Sequence, residues 1–283
     1  FFFSKKKRFL PIKKTNKNNP HKRETPSMDH PALAAELLRQ HHAREQSRPL
    51  PGLARTDVGA AYAIQRDLVR RLRAEANAAP VGYKIGLTSA RMQAMCGIDH
   101  PIGGVVLDHR VHASGVTLNA AAFGRIGLEF EIGMKIARDV TGPFDLASVG
   151  ACVGAVCAAV EVVDDRRADY KTLEVASLVA DNSWNAGIVL GAWRTAWPDL
   201  ESVRGVVHLN GAEVDSGHGR DVLGHPFAPL IWLAEHLANT GEGLRAGDIV
   251  LTGSLVTTRF PSVSEAYRFD VAGIGSVAID VEV

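Results

Sequence analysis

The chain has 283 residues, 46% of them hydrophobic and 22% charged, a composition typical of a globular protein with one large or two smaller domains. Residues 1–27 carry nine of the 32 Lys and Arg side chains but one of the 31 acidic ones, which leaves the remainder with a net charge of −7. An acidic body excludes a broad basic surface for nucleic acid, and no stretch approaches the roughly 18 apolar residues that a transmembrane helix needs.

The first 27 residues differ in composition from everything that follows. They are rich in Lys, Asn and Phe and are interrupted by proline, whereas the remainder is rich in Ala, Val, Gly and Arg. A basic segment with little apolar periodicity predicts disorder, and it lacks the apolar core and small-residue cleavage site of a signal peptide. We therefore expect residues 1–27 to be a disordered basic extension and Met28 to be the natural start.

The three cysteines, Cys96, Cys152 and Cys157, lie among apolar neighbours and form no Cys-x-x-Cys pair. They predict reduced thiols in the core rather than disulfides or a zinc site. Reduced thiols, together with the lack of a signal peptide, indicate a cytoplasmic protein.

Residues 28–79 have the pattern of an N-terminal helical segment. Leu33, Leu37 and Leu38 recur at helical spacing, and Asp57 is placed to cap a second helix with apolar residues at every third or fourth position. After Pro80 the pattern changes to short strands with few helices. We expect strands at 81–86, 105–107, 116–118 and 156–163, and helices at 89–96, 144–155 and 226–239.

The C-terminal part is rich in strands. Asn210-Gly211 predicts a type I′ hairpin between residues 206–209 and 212–214. Further strands are expected at 248–252 and over the last fifteen residues. Because strands and helices do not alternate regularly, residues 80–283 are predicted to form an α+β domain around a mixed, curled sheet.

Two glutamates on one predicted strand are the strongest sign of chemistry. Leu128, Phe130 and Ile132 point to one face, and Glu129 and Glu131 point to the other. A third carboxylate, Glu161, lies inside an apolar run, where an ionised side chain is costly unless it is paired or binds metal. Three such oxygen ligands suit Mg²⁺ or Mn²⁺. The alternative is an exposed strand face with solvated glutamates.

Several blocks together resemble the 2-keto-4-pentenoate hydratase and 4-oxalocrotonate decarboxylase branch of the fumarylacetoacetate hydrolase superfamily, and the resemblance extends over residues 30–283. The blocks are Gly82-Tyr83-Lys84-Ile85-Gly86-Leu87-Thr88-Ser89, Gly127-Leu128-Glu129-Phe130-Glu131, Glu161-Val162-Val163-Asp164, Ala180-Asp181-Asn182, Gly224-His225-Pro226 and residues 244–254. The resemblance implies a mixed β-roll with flanking helices, a homo-oligomer, Glu129, Glu131 and Glu161 as metal ligands, and Lys84 as the active-site lysine.

Other polar residues in these blocks are candidates with two interpretations each. Asp181 and Asn182 either cap a turn or line the pocket. Thr252, Gly253 and Ser254 either form a turn after a strand or donate hydrogen bonds to a substrate carboxylate. Four histidines are interpreted as loop or structural residues: His100, His109, His112 and His225. His100, His109 or His112 could instead act as a general base.

Two positions depart from the pattern of the branch that the chain resembles. Ser183-Trp184-Asn185 follows Asp181-Asn182, where small residues are usual, and Trp184 is expected to narrow the pocket or to supply an aromatic wall. Ile102 occupies the position at which some hydratases carry an aspartate for proton transfer. If that carboxylate is needed for hydration, Ile102 favours a decarboxylase or a different substrate.

The resemblance implies a metal-dependent hydratase that adds water to a 2-hydroxy-2,4-dienoate of aromatic meta-cleavage. A divalent ion would hold the 2-keto acid through its carboxylate and 2-oxo oxygen, with Lys84 supplying a further cation. A decarboxylase of the 4-oxalocrotonate type or an acylpyruvate hydrolase would use the same site. A third hypothesis is that the protein is a non-catalytic scaffold subunit that assembles with a related pathway enzyme.

Overall fold

The computed structural model describes residues 29–283, so the predictions for residues 1–27 and Met28 lie outside it. The helices are α1 (His30–Ala43), α2 (Val58–Ala76), α3 (Ala90–Cys96), α4 (Leu146–Gly150), α5 (Val175–Ala180) and α6 (Phe227–Asn239). Within this part of the chain, no helix has the length and apolar character needed to cross a membrane.

Twelve strands among the described residues form two sheets. The strands of the first sheet are β1 (Pro80–Gly86), β2 (Ile102–Leu107), β3 (Val111–Ala113), β5 (Ile126–Ile136), β6 (Val153–Asp164), β7 (Asn185–Leu190) and β10 (Ile249–Ser254). The strands of the second sheet are β4 (Val116–Asn119), β8 (Arg204–Leu209), β9 (Ala212–His218), β11 (Glu265–Val271) and β12 (Gly275–Glu282).

The seven-stranded sheet has the order β2-β1-β10-β5-β6-β7-β3 and mixes parallel and antiparallel pairs. The second sheet has the order β4-β12-β11-β8-β9. Contacts between β2 and β7, which lie near opposite edges of the first sheet, show that this sheet curls on itself. The prediction of an α+β fold built on a mixed, curled sheet is therefore confirmed.

The main core lies between one face of the curled sheet and the second sheet. Phe130 on β5 packs against Tyr267 and Phe269 on β11, with ring centroids 5.8 and 5.6 Å apart. Leu128 and Ile132, on the same face as Phe130, are fully buried. Burying this apolar stripe fixes which way β5 faces and directs Glu129 and Glu131 to the inside of the curl.

The N-terminal helices begin at aspartate caps. Asp29 accepts a hydrogen bond from the backbone of Ala32, and Asp57 accepts one from Ala60, as the sequence predicted for the second helix. Leu37 on α1 and Leu68 on α2 are buried in a second core, which also contains α5. The helical segment is therefore packed against the strand-rich part of the chain.

Most predicted elements are present, and one is wrong in part. Ser89 caps α3, Gly97 ends it, and both Asn210 and Gly211 have the positive φ angles of the predicted hairpin turn. The predicted helix at 144–155 is limited to α4, because β6 already begins at Val153. The run from Val153 onward is buried on both faces, and an apolar strand of that kind has no alternation to distinguish it from a helix.

Close approach of the two sheets near Gly217 yields a stability prediction. A Cβ atom at Gly217 would lie 2.0 Å from the carbonyl oxygen of Leu255. Because backbone has to shift, Gly217→Ala should lower the free energy of unfolding by about 3 kcal/mol in urea denaturation. Gly243→Ala is the control, since nothing lies within 4 Å of its Cβ position. Equal stability of the two variants would contradict the packing.

Candidate metal centre

Strand pairing brings the three predicted glutamates together inside the curled sheet. Glu129 on β5 is directly opposite Glu161 on β6, and Glu131 lies two residues further along the same face of β5. One carboxylate oxygen from each of the three lies within 4.8 Å of the others. Side chains that oppose one another across an antiparallel pair share a face, so the cluster follows from the register.

Burial excludes the alternative of solvated glutamates for two of the three. Glu131 and Glu161 have no exposed surface, and Glu129 is half-buried. A small apolar cluster that includes Ala159 and Ile188 lies beside them on the same side of the sheet. Two fully buried carboxylates near a third acid are costly unless a positive charge compensates for them.

Lys84 provides one such positive charge. Its Nζ lies 3.0 Å from Oε2 of Glu161, and both side chains are almost completely buried. Burial alone would lower the pKa of Lys84, but the three glutamates outweigh that effect and raise the pKa. The lysine therefore stays charged at the centre of the acidic cluster.

One lysine does not neutralise three acids. Burial, followed by the neighbouring charges of Glu161 and Glu129, raises the pKa of Glu131 well above its ordinary value of 4.5. Burial also raises the pKa of Glu161 to about 7, although the charge of Lys84 opposes it. Without a further cation, Glu131 and Glu161 therefore hold their protons to a higher pH than ordinary glutamates do.

The donor set fits a hard divalent cation. Oε2 of Glu131 accepts a hydrogen bond of 2.6 Å from the backbone N–H of Gly253, and Oε1 of Glu131 is buried with no hydrogen-bond partner among the described residues. An orphaned buried carboxylate oxygen facing two other carboxylates is the arrangement that Mg²⁺ or Mn²⁺ would complete. Glu129, Glu131 and Glu161 are the residues that would hold the ion.

Two further residues, which the sequence analysis did not assign to the site, hold the carboxylates in place. Oγ1 of Thr258 donates a hydrogen bond of 2.8 Å to Glu129, and Nδ2 of Asn185 donates one of 2.9 Å to Glu161. Thr258 follows β10, and Asn185 begins β7. No spacing rule links either residue to the glutamates, because only the strand register brings them together.

The segment Thr252–Ser254 lies next to the cluster. Its Gly253 N–H contacts Glu131, as described above, whereas the two hydroxyl groups bond to the backbone of β5: Thr252 Oγ1 to Ile132 O at 3.0 Å and Ser254 Oγ to Phe130 O at 3.3 Å. The hydroxyl contacts stabilise the pairing of β10 with β5.

Asp181 and Asn182 lie at the end of α5, where both side chains are buried. Asp181 binds the guanidinium of Arg166 at 2.7 Å and Nε2 of His41 at 2.6 Å. Burial raises the pKa of Asp181, but Arg166 and His41 outweigh it and lower the pKa. Asn182 bonds to both the N–H and the carbonyl of Val105 on β2.

The candidate histidines have other contacts. His100 bonds to the carbonyl of Pro101 and stacks on Trp232, and His225 accepts a hydrogen bond from the N–H of Phe227. Burial lowers the pKa of both His109 and His112. These contacts match the structural interpretation for His100 and His225.

The curled sheet carries a buried glutamate triad and a central lysine, an arrangement that could hold a metal ion within a β-roll. Residues 97–282 match the family described as Fumarylacetoacetate (FAA) hydrolase C-terminal. The match covers more than half of the chain, so the chain belongs to the fumarylacetoacetate hydrolase family.

Proteins similar in sequence to this chain belong to the same branch of the family that the sequence analysis identified. The chain is 31% identical to 2-keto-4-pentenoate hydratase from Burkholderia vietnamiensis over 88% of this chain and 97% of the relative. It is 30% identical to 4-oxalocrotonate decarboxylase from Pseudomonas putida over 85% of this chain and 90% of the relative.

A solved structure is similar over almost the whole described chain. It is 4-oxalocrotonate decarboxylase from Pseudomonas putida G7, complexed with magnesium and adipate. The two chains are 28% identical, superpose with a TM-score of 0.81, and match over 89% of this chain and 97% of the other. These similarities confirm the predicted family and fold.

The raised pKa values predict how pH affects the metal-free protein. A carboxyl with a raised pKa in the folded state contributes stability below its unfolded pKa, and the contribution is lost as pH rises through the folded pKa. The stability of the metal-free protein should therefore decline as pH rises from about 4.5 through about 7, where Glu161 ionises, and further as Glu131 ionises. Urea denaturation across this range measures the loss.

Glu131→Gln is the matched variant, because a neutral amide of the same shape removes one of the repelling charges. Its stability should decline less with rising pH than that of the wild type. Added Mn²⁺ should stabilise the wild type most at high pH, where the ligands are ionised. Parallel pH profiles for the two metal-free proteins would contradict the electrostatic description.

Proposed function

We propose that the protein is a metal-dependent hydratase that adds water to a 2-hydroxy-2,4-dienoate and forms a 4-hydroxy-2-keto acid in aromatic meta-cleavage catabolism. The observation that carries the proposal is the buried cluster of Glu129, Glu131 and Glu161 around Lys84. Similarity to 2-keto-4-pentenoate hydratases supports the choice of substrate and reaction.

The chain's own residues supply the charge and shape of the site. A divalent cation bound by the glutamates, Mg²⁺ or Mn²⁺, would supply a Lewis acid for the 2-oxygen and carboxylate of a 2-keto acid. Lys84, held charged by its carboxylate neighbours, would neutralise the substrate carboxylate or the charge that develops on the 2-oxygen. The Gly253 N–H orients Glu131, so that its other oxygen faces the cluster.

Decarboxylation of the 4-oxalocrotonate type is the second candidate, and Ile102 favours it. A Cβ atom at Gly86 would lie 3.3 Å from Nζ of Lys84 and 3.6 Å from Cγ1 of Ile102, so the isoleucine lies beside the lysine. Ile102 is almost completely buried and offers no carboxylate for proton transfer to or from water. The similarity to 4-oxalocrotonate decarboxylase agrees with this alternative.

The remaining predictions stay proposals of the same kind. We propose residues 28–79 as the helical segment and 80–283 as the catalytic domain, with Asp181, Asn182, Thr252, Gly253 and Ser254 bordering the substrate. We also propose that the enzyme is cytoplasmic and forms a homo-oligomer. A complex with a related pathway enzyme is the alternative assembly.

Turnover of freshly made 2-hydroxypenta-2,4-dienoate tests the function. With Mg²⁺ or Mn²⁺, the absorbance of the dienol should fall and 4-hydroxy-2-keto acid should accumulate. A chelator should abolish the reaction, and Glu131→Gln should lower kcat/KM by at least about 10³-fold, since it removes a proposed metal ligand.

The product distinguishes the alternatives when several substrates are compared. Release of CO₂ from oxalocrotonate without hydration of the dienoate would establish the decarboxylase. Cleavage of an acylpyruvate into two acids would establish the hydrolase. Absence of turnover on all three, with metal bound, would favour a scaffold subunit.

Lys84→Met tests the role of the lysine in the reaction. Methionine preserves much of the length of the side chain and removes the charge, so kcat should fall by about 10²- to 10⁴-fold. Circular dichroism controls for folding, and Lys135→Met, at the exposed lysine of β5, should leave kcat unchanged. A kcat within threefold of wild type for Lys84→Met would rule out a direct role.

A further inference from the structure

A strained turn precedes β7 and passes close to the metal centre. Asn182, Ser183 and Trp184 have φ angles of 49°, 49° and 60°, three consecutive left-handed residues without a glycine. Asparagine tolerates this region, but serine and especially tryptophan rarely adopt it. Such a backbone persists only where the surrounding structure holds it, and it is often found at functional sites.

The turn is fixed to strand β2 by both side chains that precede Trp184. The Asn182 amide bonds to the N–H and carbonyl of Val105, and Oγ of Ser183 donates to the carbonyl of Gly103. The approach is so close that a Cβ atom at Gly104 would lie 2.6 Å from the Asn182 carbonyl oxygen. The turn is therefore held rigidly over the strand that lies beside Lys84.

The consequence of this geometry is the placement of Asn185. Immediately after the turn, the backbone returns to a negative φ, and the side chain of Asn185 is directed at Glu161. Its carbonyl accepts a hydrogen bond of 3.2 Å from Arg110, so both the backbone and the amide of this buried residue are restrained.

The two oxygens of Glu161 thus have different partners. Oε1 accepts the 2.9 Å hydrogen bond from Asn185, while Oε2 lies 3.0 Å from Nζ of Lys84. These two contacts fix the orientation of the Glu161 carboxylate plane. They hold it in place despite the repulsion from Glu129, which lies directly opposite on the paired strand. A ligand carboxylate held in one orientation needs less reordering when a cation binds.

We propose that Asn185 is a positioning residue that orients Glu161 for the divalent cation, and that the left-handed turn exists to place it. The inference rests on the proposed metal site. Asn185 acts through Glu161, to which its side-chain amide donates a hydrogen bond. Its loss acts on the affinity for the ion.

Mn²⁺ titration of the metal-stripped full chain, followed by the electron paramagnetic resonance signal of the free ion, tests the proposal. Asn185→Leu keeps the branched shape of the side chain and removes the amide, whereas Asn185→Ala removes both. Each should weaken Mn²⁺ binding by about 10- to 100-fold. Ser183→Ala, which removes one hydrogen bond that fixes the turn but keeps the amide, should also weaken Mn²⁺ binding, but less than Asn185→Leu does.

Thermal unfolding of each metal-free variant accompanies the titration. Mn²⁺ affinity within threefold of wild type for a folded Asn185→Leu would overturn the proposal, because the amide would then only fill space. If Asn185→Leu does not fold, the Mn²⁺ affinity of Asn185→Ala is used instead, and a value within threefold of wild type would overturn the proposal. A wild type that takes up no Mn²⁺ overturns the metal site and this inference together, whereas Mn²⁺ binding by the wild type that is weakened in the Asn185 variants supports both.

Discussion

Repulsion among three carboxylates in the interior of a curled sheet is the constraint on which the rest of this structure depends. Lys84 offsets part of this repulsion. The part that remains, together with burial, raises the pKa values of Glu131 and Glu161. Such a cluster survives only where the opposite face of the same strands is strongly stabilised. The packing of Phe130 against the second sheet provides that stabilisation, so the apolar core and the acidic centre are two faces of one strand pair.

Alternation along β5 was sufficient to predict which residues face the core and which face the site. The same rule failed at residues 144–155, because β6 is buried on both faces and its apolar run has no period of two. The lack of regular alternation between strands and helices was enough to predict a mixed, curled sheet. Which strands meet in the curl could not be predicted, since the contacts between β2 and β7 join residues far apart in sequence.

The residues of the candidate site likewise fall into those that the sequence could predict and those that it could not. The glutamates could be predicted because carboxylates within apolar strands are conspicuous in a sequence, whereas Lys84 was implied by the family resemblance. Thr258 and Asn185 could not, since a threonine in a loop and an asparagine after a turn are unremarkable until the register places them against Glu129 and Glu161. Polar residues that support a ligand carry no charge signal of their own, and only the folded chain reveals them.

The reaction outcome is less constrained by this structure than the metal chemistry, and the reason is physical. Stabilising negative charge on a 2-oxygen serves hydration, decarboxylation and carbon–carbon cleavage equally, because each passes through an enolate-like charge distribution. What separates them is whether a group near the substrate can deliver a proton or activate water. Beside Lys84 the chain has the buried side chain of Ile102, which can neither deliver a proton nor activate water. The side chains around the triad, rather than the triad itself, therefore separate the candidate reactions.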